Sequence, residues 1–190
     1  MKKTRCSWAK ETSPLYMDYH DNEWGVPTYD DQMLFEMLVL EGCQAGLSWE
    51  TILNKRAGYR DAFYNFEVQR VANMTNDKLE SLRQNSAIVR NRLKINMARK
   101  NAKVFLNIQK EFGSFKNYLW DYVNHKPIQN HWETMDEVPA TTPLSDQISK
   151  DLKARGMSFV GSTIIYAYMQ ACGVVNDHIT KCFCYDKNNK

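Results

Sequence analysis

Apolar residues recur along the chain at intervals of three and four, and two-residue alternation is scarce, so helices rather than strands are predicted almost throughout. With Asp30 or Asp31 as N-cap, Leu34, Met37, Leu38 and Glu41 share one helical face, and Gly42 and Gly46 stand nearby as terminators. A second helix is expected from Ser48. Asn76 is the expected cap of a segment carrying Leu79 and Leu82. Ile88, Ile95, Ala98, Ala102, Phe105 and Leu106 mark a longer segment that ends near Gly113, and Phe115, Leu119, Tyr122 and Val123 mark the next. From Lys126 to Pro143 the prolines at 127, 139 and 143 remove backbone donors and predict a loop. Ser145 is expected to cap a helix carrying Ile148 and Leu152 that stops at Gly156, and a last helix runs from about Ser162 to Cys172 before Gly173. The predicted class is all-α.

The chain has 190 residues, 43% hydrophobic and 25% charged, with no repeat, low-complexity tract or Gly/Ser linker. One folded domain over 1–190 is expected, and extensive disorder is not. No run approaches the roughly 18 to 20 apolar residues that span a bilayer, and no apolar stretch follows the basic start Met1-Lys-Lys-Thr-Arg. A cytoplasmic protein that does not enter a membrane is expected, as a monomer. Five scattered cysteines suit reduced thiols better than a disulfide framework and leave metal binding open. The net charge of +3 says little about an anionic partner. Ser86 to Lys110, however, carries seven basic residues and no acid, which leaves −4 for the rest of the chain. A solvated helical face would account for such a run as well as DNA does, and only part of one helix can point at a duplex.

Three groups of residues could carry chemistry. His178 and Cys182 are four apart, one helical turn, and Cys6 and His20 near the other end could complete a tetrahedral Cys2His2 set with no open position, which would be structural. Ordinary buried cysteines are the alternative. Cys184 is a rival ligand expected to point elsewhere, and Cys43 and Cys172 sit in apolar contexts that suggest packing. Glu41 lies on an apolar face, and the sequence around it is rich in aromatics: Trp8, Tyr16, Tyr19, Trp24 and Trp49. An acid among aromatic rings suits recognition of a flat base, whereas a solvated or arginine-paired carboxylate at a helix end is the plainer reading. Lys153-Ala-Arg-Gly-Met-Ser-Phe-Val-Gly161 is a short connection between two helices. Gly156 can take a positive φ there, and Gly161 can expose backbone N–H groups at a helix N-terminus where a phosphate binds. Any tight helical hairpin wants such glycines, but Lys150, Lys153 and Arg155 stand beside them.

Cys6-Ser-Trp, Pro14-Leu-Tyr-Met-Asp-Tyr-His-Asp-Asn-Glu-Trp-Gly-Val-Pro27, Leu34-Phe-Glu-Met, Leu40-Glu-Gly, Gln44-Ala-Gly-Leu-Ser-Trp49, Phe159-Val-Gly-Ser-Thr163 and Met169-Gln-Ala-Cys-Gly-Val-Val-Asn-Asp-His178 together resemble the 3-methyladenine DNA glycosylase I family over almost the whole chain. The resemblance implies a helix-hairpin-helix DNA glycosylase fold, with a zinc-binding lobe from about 1–25 and 174–190 and the hairpin at about 145–172. It implies one structural zinc on Cys6, His20, His178 and Cys182. It makes Glu41 the pocket acid and Trp49 the stacking residue, with Trp8, Tyr16 and Tyr19 near the base. Lys153, Gly156, Gly161, Ser162 and Thr163 become the DNA-binding hairpin.

The implied reaction is hydrolysis of the N-glycosidic bond of 3-methyladenine flipped out of alkylated double-stranded DNA, leaving an abasic site. Related helix-hairpin-helix glycosylases often carry a catalytic aspartate two residues ahead of a histidine. Asn176 stands in that place here and Asp177 is one residue off register, so neither is assigned as a general base. The lysines occur in solvated basic contexts, and no Schiff-base lyase activity is expected. A zinc-stabilised module that senses damage without cutting is the competing class. A catalytic zinc is disfavoured by the lack of His-x-Glu with Cys-x-x-Cys. His125 and His131 are read as surface or capping residues.

Overall fold

Among the described residues ten α-helices carry the fold: α1 (Pro14–Asn22), α2 (Asp31–Gln44), α3 (Trp49–Asn54), α4 (Arg56–Ala62), α5 (Val68–Ala72), α6 (Asn76–Ser81), α7 (Arg92–Phe112), α8 (Phe115–Asp121), α9 (Pro143–Ala154) and α10 (Ser162–Ala171). The structure is a computed structural model that describes residues 3–10 and 12–187. Residues 1–2, 11 and 188–190, which fall within the expected zinc lobe, lie outside the described residues.

The centre is α2, in which every position from Leu34 to Cys43 is buried. Its start follows from Asp30, whose side chain accepts the Met33 N–H, and α3, α7, α8 and α10 pack around it. A helix surrounded on all sides has no room for a large residue at the tightest crossing. Gly42 meets that need: a Cβ there would lie 2.8 Å from Met97 of α7 and 3.3 Å from Phe159. It therefore sits inside α2 rather than ending it, and the helix continues to Gln44.

The longest helix, α7, is amphipathic. Asn91 caps it by accepting the N–H groups of Leu93 and Lys94, and Gly113 ends it in the left-handed region at φ +81°. Ile88 belongs to the turn before it, so the helix begins later than its apolar pattern suggested. Two expected caps also move. Thr75, not Asn76, accepts the Lys78 N–H at the start of α6. Thr142 caps α9 in a reciprocal box with Ser145, which stands at the third helical position, while Pro143 at the first loses no needed donor.

The expected loop from 126 to 143 contains two short elements that periodicity did not predict, a strand and a 3-10 turn at Met135–Glu137. Ile128–Gln129 (β1) pairs in parallel with Val175–Asn176 (β2) just after α10. Thr180 donates its N–H to the Trp132 carbonyl, and Phe183 donates to the Thr4 carbonyl. Both ends of the chain and the loop are thus held beside α10. No helix among the described residues is long and apolar enough to cross a membrane.

Candidate active site and Cys/His cluster

A cleft of about 330 Å³ opens where four segments meet, a size usual for small-molecule sites. Trp8, Tyr16, Tyr19 and Trp24 form its aromatic wall, Glu41 and Gln44 come from α2, and Trp49 opens α3. Met135 and Val138 to Ala140 supply a wall from the proline-rich loop, and Thr163, Tyr166, Ala167 and Gln170 come from one face of α10. The aromatic rings interlock: Trp8 lies 5.2 Å from Tyr16 and 5.0 Å from Trp24, and Tyr19 lies 5.2 Å from Trp49.

Two glutamates of α2 are buried, and their surroundings differ. Glu36 is tied to Arg56 at 2.6 Å and to Arg60 at 2.9 Å. Glu41, only 4% exposed, makes no hydrogen bond or ion pair with any described residue. Burial alone raises its carboxyl from 4.5 to about 8. Tyr19 is pushed well above the ordinary tyrosine range, first by burial and then by Glu41. Trp49 is 8% exposed, and its Nε1 is the one buried side-chain polar atom without a partner among the described residues. An unpaired acid and an unpaired indole N–H beside one cleft are costly in the empty protein and available to a ligand.

Lys94 corrects the expectation that every lysine is solvated. It is 7% exposed, and its Nζ donates to the carbonyls of Cys43 at 2.8 Å and Ala45 at 2.5 Å. A cation placed on the last carbonyls of α2 satisfies groups that the helix leaves open. It also fixes the turn that leads to Trp49.

The hairpin between α9 and α10 takes the expected form, with Gly156 at φ +102° and Gly161 as the N-cap of α10. Ser149 donates to the Val160 carbonyl, and Asn101 of α7 pairs with both backbone groups of Ser158. Phe159 is held at φ +56°, a conformation that a bulky residue adopts at a cost. Lys153 and Thr163 are exposed, and Thr163 also lines the cleft. Ser162 exchanges a hydrogen bond with Ser145 at 2.8 Å. Arg155, grouped with the basic residues beside the hairpin, is instead committed to Glu111 at 2.7 Å and Asp151 at 2.8 Å.

Cys6, His20, His178 and Cys182 are all buried, and their donor atoms converge within 4.8 Å. Cys182 Sγ lies 3.4 Å from His178 Nδ1 and 3.6 Å from His20 Nε2, and Cys6 Sγ lies 3.6 Å from His178 Nδ1. Bond lengths of about 2.3 Å to sulfur and 2.0 to 2.1 Å to nitrogen put a tetrahedral S···N edge at roughly 3.5 Å, so these residues fit a zinc ion. Each histidine is oriented from outside the cluster. His20 Nδ1 is 2.8 Å from Asp21, which Arg5 holds, and His178 Nε2 is 3.0 Å from the Trp24 carbonyl. Cys184 is buried close by and shares a second possible group with His20 and Asp21. Its N–H donates to Cys182 Sγ, and its own thiol faces the Asp21 carbonyl. Cys43 and Cys172 are buried in the core, and His125 and His131 are exposed, as their contexts implied.

Gln44, Tyr166 and Gln170 were missed by sequence reasoning. For the last two a signal existed, because positions 163, 166, 167 and 170 share one helical face.

A largely helical frame, an aromatic cleft of small-molecule size with one unpaired acid, and a buried Cys/His cluster that could hold a metal define the class of protein. The methyladenine glycosylase family model matches residues 8–185, and the chain belongs to that family. It is 48% identical over 184 residues to DNA-3-methyladenine glycosylase 1 of Escherichia coli (strain K12), covering 97% of this chain and 98% of that one. It is similar to the crystal structure of 3-methyladenine DNA glycosylase I, with a TM-score of 0.93 and 48% identity over 96% and 100% of the two chains. The Staphylococcus aureus 3-methyladenine DNA glycosylase I, solved for the structural basis of its 3-methyladenine recognition, gives a TM-score of 0.92 at 37% identity over 95% and 96%.

Proposed function

We propose that this protein is a monofunctional DNA-3-methyladenine glycosylase: it hydrolyses the N-glycosidic bond of 3-methyladenine flipped from alkylated double-stranded DNA and leaves an abasic site. The observation that carries the reading is Glu41, a buried carboxyl without a partner in an aromatic cleft. Names given to relatives matched over nearly the whole chain point the same way.

Methylation at N3 makes the base cationic and its glycosidic bond weak, so selective binding does more here than chemical activation. Glu41 accepts hydrogen bonds from the adenine edge. As the positive base enters, it lowers the carboxyl's pKa and the acid becomes the counter-ion. Trp49 stacks on the cationic ring, with Trp8, Tyr16 and Tyr19 completing the wall. Asp177 is not the base in this scheme, because four donors already fill its oxygens. Lys153, Gly156, Gly161, Ser162 and Thr163 form a helix-hairpin-helix clamp on the phosphate backbone, with no reading of sequence. One zinc held by Cys6, His20, His178 and Cys182 supplies folding free energy and no reacting group. The chain works as one glycosylase unit, as a monomer in the cytoplasm.

Wild-type protein incubated with methylated duplex should release free 3-methyladenine, and Glu41→Gln should release far less. Equal release by the variant would remove Glu41 from the mechanism, and no release by the wild type would favour a damage-sensing module. Borohydride should trap no adduct with abasic DNA, since no lysine among the described residues lines the cleft.

A further inference from the structure

Beneath the α10 face of the cleft lies the fully buried carboxylate of Asp177. Its Oδ1 accepts from Asn130 Nδ2 at 2.6 Å and Trp132 Nε1 at 2.8 Å. Its Oδ2 accepts from the Tyr166 hydroxyl at 2.6 Å and from Gln170 Nε2 at 2.7 Å. This network decides which way the Gln170 amide faces. Turning the amide over would put two acceptor oxygens in contact, so Nε2 stays on Asp177 and Oε1 is turned away from it. Gln170 Oε1 has no hydrogen-bond partner among the described residues, and the half-buried side chain forms part of the cleft wall.

We infer that Gln170 is a specificity-determining residue whose Oε1 is a fixed acceptor for the exocyclic 6-amino group of the bound purine, so that a 6-oxo purine is rejected at this wall. The inference rests on reading the cleft as a base pocket. A 6-amino group brings a donor to Oε1, and positive charge on the base strengthens that bond. A 6-oxo group brings lone pairs against an oxygen that cannot turn aside without breaking its bond to Asp177. The 6-amino group has two N–H donors, so the Gln170 amide adds to the choice between adenine and guanine derivatives, while Glu41 accepts from the same edge and also answers to the positive charge. Because Asp177 also holds Asn130 and Trp132, the same carboxylate sets the amide and the start of the loop whose later residues also line the cleft.

The test is isothermal titration of free 3-methyladenine and free 3-methylhypoxanthine into the full-length protein as purified, in the wild type and in Gln170→Met, which keeps the length of the side chain. The variant should bind 3-methyladenine about five- to tenfold more weakly, the loss of one hydrogen bond, and bind 3-methylhypoxanthine as well as the wild type or better. The ratio of the two affinities is the deciding quantity. A structural role would weaken both bases together, so an unchanged ratio, or one that rises, overturns the inference. Gln170→Leu provides the same comparison with a different shape. If both variants lose their fold and bind neither base, the residue serves the scaffold and the inference is also overturned. Failure of the wild type to bind 3-methyladenine would instead refute the base-pocket reading.

Discussion

Replacing Glu41 by glutamine should make the protein more stable, by an amount that grows with pH. Burial raises the Glu41 carboxyl from 4.5 to about 8 in the folded protein. A group that holds its proton more tightly when folded contributes its full stabilisation below the unfolded pKa and loses it as pH rises through the folded one. Between the two values the slope is about 1.4 kcal/mol per pH unit. From pH 5.5 to pH 8 the wild type should therefore lose roughly 3 kcal/mol relative to Glu41→Gln. That is a gap of about 6 to 12 °C in melting temperature for a chain of this size. Glutamine is close to isosteric, and Glu41 has no partner to lose, so well below pH 4.5 the two proteins should melt together. The assay is thermal or urea unfolding of both proteins at pH 5.5, 6.5, 7.5 and 8.5, scored as the difference between them so that effects shared by both cancel. A constant difference across that range would refute the reasoning, because it would mean that the carboxylate is solvated or paired when folded. A confirmed rise would show stability given up to keep an acid ready for a cation.

Removing metal with a chelator, or making Cys182→Ser, should lower the melting temperature by more than about 10 °C and abolish base binding only as a consequence; metal content measured beside the melting curve checks the order of events. Lys94→Met should destabilise by about 2 to 3 kcal/mol by leaving the carbonyls of Cys43 and Ala45 unpaired. It should also weaken base binding through the loosened turn before Trp49, read by urea unfolding and titration with 3-methyladenine. Gly42→Ala should cost about 1 to 3 kcal/mol, since its Cβ would meet Met97 at 2.8 Å. Lys153→Gln should weaken DNA binding equally for all sequences and reduce the log–log salt slope by about 0.9.

The helices were legible because their apolar faces and caps are local, so Asp30, Ser48 and Gly113 mark ends that depend only on neighbouring residues. The shifted caps have a local cause as well. Thr75 and Thr142, one and three residues upstream of the expected caps, have hydroxyls that accept the Lys78 and Ser145 N–H groups and so start each helix earlier than expected. The β1 and β2 pairing escaped because two residues carry no period. In the site, Glu41 stood out as an acid on an apolar face, whereas Trp49 was one of several aromatics and was set apart only by the family resemblance. Lys94 did not stand out, because what buries it is the far end of another helix. Gln170 and Tyr166 were hidden in a helix that reads as core, since only the tertiary fold turns one of its faces toward the cleft.

The contact between His178 Nε2 and the Trp24 carbonyl, together with Trp8 packed 5.0 Å from the His20 ring, has a bearing on how the molecule is made. The aromatic wall belongs to the part of the chain that leaves the ribosome early, while two of the four residues that hold it emerge near the opposite end. Until those two residues are made, the wall has only its contacts with α3 and α4, such as Tyr19 on Trp49 and Glu23 on Arg56, to hold it. The last segment to be synthesised thus completes the support of a surface encoded at the start of the chain.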